Sequence, residues 1–261
     1  MLENSQDGGL VTALLQYSLD NRHIDGAIVS GISKDTPFLP LAKLVTTREA
    51  ILESAGTRYS YSANILVLPR ATGKAKALAF VGTPCQIRAI RKMQIARINV
   101  VANIKLLIGL LCSECFIYDG LMKEIHEKLG VRPTEIKKID IKGKMLIKTE
   151  QETKTLSLAD AKKQARKSCR HCQDFSSELA DISAGGLGQD RSTLTIIRTE
   201  VGENLFSKAA RAGLIRVMEP NESVLSLLRR FSVKKACDLS DQNLLASRFE
   251  QRYQICTFSA I

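Results

Sequence analysis

The 261-residue chain has no tryptophan, and tyrosine and phenylalanine together supply only 5 % of it. So thin an aromatic supply argues against a nucleic-acid binder that stacks bases on rings, and no basic stretch here is interleaved with aromatics. Long apolar runs are also missing. Nothing approaches the 18 or more residues of a membrane span, and the opening MLENSQDGG is polar, as neither a signal peptide nor an anchor would be. There is no internal repeat and no low-complexity segment. Acidic residues are the minority, 27 Asp and Glu against 38 Lys and Arg, a net charge of +11. Apolar content of 44 % describes an ordinary globular chain, long enough for a large core in one domain or two.

Cysteine, by contrast, is present in force. Seven is an odd number, and several of the seven sit in apolar, strand-like runs, unlike the even count of a short secreted disulfide framework. The expected setting is a reducing cytoplasm, with thiols kept for metal or redox chemistry. The positive balance raises nucleic acid as a partner. Yet the Lys and Arg are spread through helical stretches such as RAIRKMQ and AKKQARK. That pattern suits a solvated basic face or a polyanionic small ligand.

The stretch ALAFVGTPCQIRAIRKMQ, residues 77–94, organises the rest. Ala77 to Val81 reads as a buried strand, Gly82-Thr83-Pro84 breaks it, and Gln86 to Gln94 reads as a basic helix. Cys85 is thereby expected on the turn between a strand's carboxyl end and a helix's amino end. In open α/β sheets that crevice holds ligands, and the helix start favours a thiolate or another anion. A buried core cysteine would fit the same place.

Before this stretch, Ser5-Gln6-Asp7-Gly8-Gly9 runs into LVTALLQYSLDN, where Leu10, Ala13, Leu14 and Tyr17 share a helical face. A Ser/Asp cap and two glycines at a helix start suit phosphate, or form a plain cap. Residues 26–31 and 41–46 read as strands, and Thr47 caps a helix that stops at Gly56. Thr57-Arg58-Tyr59-Ser60-Tyr61-Ser62 is then a hydroxyl-rich loop with one arginine. It fits a phosphate or flavin edge, or a surface turn.

Residues 104–111 form a second buried strand ending at Cys112. A helix capped by Gly130 follows, then an alternating stretch over 134–157 that turns at Gly143, a hairpin or meander. Beyond it come a basic segment, a glycine cluster at Gly185, Gly186 and Gly188 leading to a strand, a helix ENLFSKAARAG, the run LIRVM and a mixed tail. These elements predict an α/β chain (mixed α+β), a sheet with flanking helices.

Two CxxC pairs, Cys112-Cys115 and Cys169-Cys172, are separated by 53 residues, 116 to 168. Four thiolates in two such pairs can make a structural zinc site, although the separation far exceeds that of zinc ribbons. A thioredoxin-like dithiol is a second option. A third is an iron–sulfur cluster on Cys85, Cys112, Cys169 and Cys172, since clusters impose no single spacing. Spacing alone leaves zinc, cluster and no metal open. Between its two cysteines His171 reads as solvent-facing, and Cys237 and Cys256 as bystanders.

Taken in order, SQDGGLVTALL, AGTRYSYS, VGTPCQIRAIRKMQ, GLLCSECF and CRHCQDFSSELADIS, with the Gly-rich turn after them, resemble the coenzyme F420 hydrogenase/dehydrogenase beta-subunit family over residues 4 to about 230. The resemblance implies an α/β iron–sulfur flavoprotein that carries FAD and one 4Fe-4S cluster and exchanges hydride with the deazaflavin coenzyme F420. An N-terminal region would span 1–72, a C-terminal region with the cluster cysteines 73–232, and a tail 233–261. Carried over by position, Cys85, Cys112, Cys169 and Cys172 fall on the cluster ligands, while Cys115 falls where relatives often carry Asn or Ser. Ser5, Gln6, Asp7, Gly8 and Gly9 fall on FAD segments, as do Gly56, Thr57, Arg58 and Tyr59 and, more loosely, Thr83 and Pro84.

The implied partners are the deazaflavin and a redox subunit such as a hydrogenase or formate dehydrogenase, with neither nucleic acid nor a membrane span. The family usually has a further stretch before SQDGG, so a late start is expected. Where relatives read roughly GSxGSPxGWST this chain reads GGLGQDRST, and no ferredoxin-like cysteine block is fused to it. No residue stands out as general acid or base; hydride transfer asks first for alignment. A zinc-stabilised basic nucleic-acid module and a non-catalytic electron-relay subunit stand as the alternatives.

Overall fold

The computed structural model describes residues 8–189, 191–236 and 254–260, the last of these as backbone. The chain opens with α1 (Leu10–Asp20), β1 (Gly26–Ile32), β2 (Pro40–Val45), α2 (Arg48–Glu53), α3 (Leu68–Thr72), β3 (Leu78–Gly82), α4 (Pro84–Ile95) and β4 (Ile104–Leu110). Next come α5 (Tyr118–Leu129), β5 (Lys138–Ile141), β6 (Met145–Lys148), β7 (Thr153–Leu156) and α6 (Leu158–Lys163). It closes with β8 (Ile182–Gly185), β9 (Thr193–Ile197), α7 (Glu200–Arg211), β10 (Ile215–Met218), α8 (Glu222–Ala236) and β11 (Gln254–Ala260).

One eight-stranded sheet, in the order β10-β11-β9-β8-β4-β3-β1-β2, carries the molecule. Its centre is parallel, β1 on β3, β3 on β4 and β4 on β8, and both flanks are antiparallel. Parallel strands are buried on both faces and so read as continuous apolar runs. All five residues of β3 are buried: Ala79 and Val81 pack with α1 and α7, Phe80 and Leu78 with α3 and α4. The layers are helix, sheet, helix, as the sequence predicts.

Four local expectations change. Cys85 lies inside the first turn of α4 rather than on the turn before it, because Pro84 suits the first helical position and Gln86 Oε1 accepts from Thr83 N at 3.1 Å. The cap of α1 is Gly9, with φ 68°, and among the described residues no side chain caps it; Ser5, Gln6 and Asp7 lie outside the described residues. Gly185, grouped with Gly186 and Gly188 in a glycine cluster, instead ends strand β8, and residues 254–260 of the tail form β11 between β10 and β9. Cys256 falls in β11; Cys237 lies outside the described residues.

The alternating stretch over 134–157 is a three-stranded meander, β5-β6-β7. With α5 and α6 it encloses a core of its own, in which Leu121, Ile125, Met145 and Ile147 are buried. This unit occupies most of the 53 residues between the two CxxC pairs. Its two ends are tied together: Phe116 bridges Ala165 in antiparallel fashion, and Ile117 N donates to Gln164 O at 2.8 Å. An insertion that starts and ends at one point leaves its flanks adjacent.

Candidate functional site

The carboxyl ends of the parallel strands form one edge, and the chain places five of its cysteines there. Cys85 follows β3, Cys112 and Cys115 follow β4, and Cys169 and Cys172 lie on and just after a 3-10 turn, Lys167–His171, brought back by the closed insertion. Cys85 is exposed, Cys115 is buried, and the other three are intermediate. His171 is exposed, as expected.

Backbone groups fix this arrangement. Cys112 N donates to Phe175 O at 2.9 Å, and Arg166 N donates to Cys115 O at 2.9 Å. The two pairs touch: Cys115 N points at Cys169 Sγ, 3.4 Å away. Cys112 and Cys115 hold their sulfurs 3.9 Å apart, and Thr83 Oγ1 is 3.3 Å from Cys85 Sγ. The sequence separation that argued against a shared site is therefore no obstacle.

The thiols feel one another. Cys112 is pushed well above the ordinary thiol range, first by its hydrogen bond to Cys115, then by burial and by the charges of Cys115, Cys169 and Cys85. Cys115 is lowered, because that hydrogen bond outweighs burial and is joined by the charges of Arg166 and Lys235, against Glu114. Burial raises Cys169, partly offset by the Cys115 N–H. Cys115, set aside on sequence grounds, thus belongs to the same cluster of thiols. Among the described residues no group of three or more His, Cys, Asp or Glu side chains is arranged to hold a metal ion.

The hydroxyl-rich loop borders the cysteines. Asn64 Nδ2 donates to Val81 O at 2.8 Å and Gln86 Nε2 to Ser62 O at 2.6 Å, fastening the loop to the end of β3 and the start of α4. Neither Asn64 nor Gln86 was singled out by the sequence, although a buried amide inside an apolar run was a usable signal. Thr83 and Pro84 therefore sit beside the loop. Just before it, Gly56 has φ 96°, and within it Tyr59 Oη accepts from Ile141 N at 3.2 Å, tethering the inserted unit. Arg58 turns back on α2, donating to Ala55 O at 2.9 Å and Thr57 O at 3.4 Å. Burial lowers its pKa, and its Nε is buried without a partner. Thr57, Arg58 and Tyr59 line a small cleft with Phe38, Leu121 and Met122.

Gly8 and Gly9 lie elsewhere on the edge. Gly8 N donates to Thr193 Oγ1 at 3.1 Å, at the start of β9. That strand is three places from β3 in the sheet, roughly 14 Å at the usual strand spacing. The glycine pair thus lies by β9 and the hydroxyl-rich loop by β3 and α4.

Comparison with known proteins identifies relatives of this chain. Residues 1–69 match the family model for the N-terminal part of the coenzyme F420 hydrogenase/dehydrogenase beta subunit, and residues 75–223 match the model for its C terminus. The coenzyme F420 hydrogenase subunit beta of Methanothermobacter thermautotrophicus is 37 % identical over 254 residues, covering 94 % of this chain and 89 % of that protein. The F420-dependent sulfite reductase of Methanocaldococcus jannaschii is 37 % identical over 216 residues, 77 % of this chain but 34 % of that protein. A chain in the xenon-derivatised F420-reducing [NiFe] hydrogenase complex of Methanosarcina barkeri superposes with a TM-score of 0.84 at 35 % identity, over 96 % of this chain and 88 % of that one. No described helix is long and apolar enough to cross a membrane. The chain belongs to the coenzyme F420 hydrogenase/dehydrogenase beta-subunit family.

Proposed function

We propose that this chain is the F420-handling subunit of an oxidoreductase complex, holding one 4Fe-4S cluster on Cys85, Cys112, Cys169 and Cys172 and FAD along the same sheet edge. The observation that carries this reading is the convergence of thiols from three distant segments at the carboxyl end of a parallel sheet, where ligands bind in open α/β folds. The donor set fits a cluster: it is all thiolate, it is partly shielded, and the sulfur of Cys169 already receives a backbone N–H. A bound flavin supplies the exchange between one-electron and hydride carriers.

The chain's own groups bind and orient. Cys85 approaches from the first turn of α4, beside the unpaired N–H groups of the helix start. The positive-φ glycines Gly9 and Gly56 let backbone approach a ligand from two sides, and Thr83 and Pro84 join the hydroxyl-rich loop to the cysteines. Region 1–72 thus contributes the nucleotide segments and region 73–232 the cluster. A partner subunit delivers or accepts electrons, as in the hydrogenase complexes to which the chain is similar. Free thiols in this number suit a reducing cytoplasm.

Iron and acid-labile sulfide in anaerobically purified variants test the ligand set. Cys85→Ser is expected to lose iron, while Cys115→Ser keeps it, because Cys115 is buried and serves Cys169 through its backbone. A zinc site built on the two CxxC pairs requires the reverse. Iron unchanged in Cys85→Ser sinks the assignment.

A further inference from the structure

Two cations stand at the cysteines, and the reading above gives them no role. Arg166 is the first residue after the inserted unit closes. Its guanidinium lies over the Tyr61 ring, 3.7 Å from the centroid, while its backbone N–H is committed to Cys115 O at 2.9 Å. Lys235 comes from α8, a helix that lies almost wholly past the residues 75–223 matched by the family model. Its ammonium donates to Cys169 O at 3.0 Å.

Both charges are held in place by packing. Tyr61 N donates to Phe116 O at 3.2 Å, so the ring beneath Arg166 is pinned to the entry of the insertion. Helix α8 buries Val224 and Leu228 and sets Phe231 5.2 Å from Phe175, whose carbonyl accepts from Cys112 N.

Four thiolates make a cluster anionic, and reduction adds one electron to it with no bond formed or broken. A fixed cation therefore stabilises the reduced state more than the oxidised one, and net charge and nearby hydrogen bonds are what tune cluster potentials. We infer that Arg166 and Lys235 set the redox level of the cysteine centre, holding it less negative than the thiolate ligands alone would. Neither residue is a ligand. Both are positioning residues that act through their charge, and the inference rests on the cluster reading given above.

The test uses the full chain, purified anaerobically with its iron. Arg166→Gln, Lys235→Gln and the double variant remove charge; Arg166→Lys and Lys235→Arg keep it. Iron and sulfide contents are measured first, then the midpoint potential, by equilibrium titration with dithionite followed by absorbance. Iron is expected at the parental level throughout. Each Gln variant should shift to a more negative potential, the double variant further, and the charge-keeping variants should stay near the parent. Unchanged potentials in both Gln variants overturn the inference, as do equal shifts in the charge-keeping ones, which would mark lost packing. Should Arg166→Gln shed its iron, Lys235→Gln decides alone, since the main-chain contact of Arg166 is not at stake there. A parent without iron and sulfide brings down the cluster reading itself, a result distinct from iron present at an unmoved potential.

Discussion

At the carboxylate of Asp181 four elements meet. One oxygen accepts from Arg91 of α4 at 2.7 Å and from Thr199, the cap of α7, at 2.8 Å; the other accepts from the backbone of Leu107 in β4 at 2.7 Å. Asp181 itself leads into β8 and is buried. Removing one partner of such a network strands the rest without water. Asp181→Ala is expected to cost about 3 kcal/mol, the low end for a broken buried pair, because Arg91 still reaches solvent. A lower urea midpoint at unchanged slope would show it, and a change under 1 kcal/mol would mean the network is slack. Nothing in the run ELADIS marks this aspartate as different from a surface one. Asp181 gains its role only where β4, α4 and α7 converge.

At the scale of elements, the segment between Cys172 and β8 is pressed against β4. A Cβ built on Gly109 would collide with the Ser177 side chain and come within 2.9 Å of Ala180 Cβ. Ser177 is fully buried with φ 58°, a region L residues avoid. Gly109→Ala is therefore expected to destabilise by about 1–3 kcal/mol, the usual range for overpacking, and to lower iron content by displacing the segment that follows Cys172. Adding Ser177→Gly removes the colliding side chain and suits the backbone, so the double variant should recover part of the loss. Thermal unfolding and iron assays on both check this; no recovery in the double variant would show that the collision is not the cause. Gly109 sat in plain view within IKLLIGLL, but a glycine in a strand says only that something comes close, not what.

For the whole molecule, the last described strand matters more than its position in the tail suggests. β11 pairs with β9 on one side and β10 on the other, so among the described residues β10 reaches the sheet only through it. Deleting residues 254–260 should strip hydrogen-exchange protection from β10 and from the facing side of β9. The parallel centre of β1, β3, β4 and β8 should stay protected, since the core on one of its faces is built without β9, β10 or β11. Protection unchanged in β10 would mean that it finds another partner.

What the sequence determined by itself is local and periodic. Apolar runs of strand length, helix caps such as Thr47 and Gly130, and the strand–turn–helix around Cys85 are set by neighbours a few residues apart, and the family resemblance rests on the same short stretches. Tertiary structure decided what meets what. The 53 residues between the CxxC pairs were read as distance, yet they close on themselves at Phe116 and Ala165, so the pairs touch and Cys115 joins the others. Tyr61 beneath Arg166, Lys235 against Cys169 and a tail strand inside the sheet follow the same logic. Each is a contact between residues remote in the chain, fixed by the packing of layers, and no periodicity or spacing along the sequence encodes it.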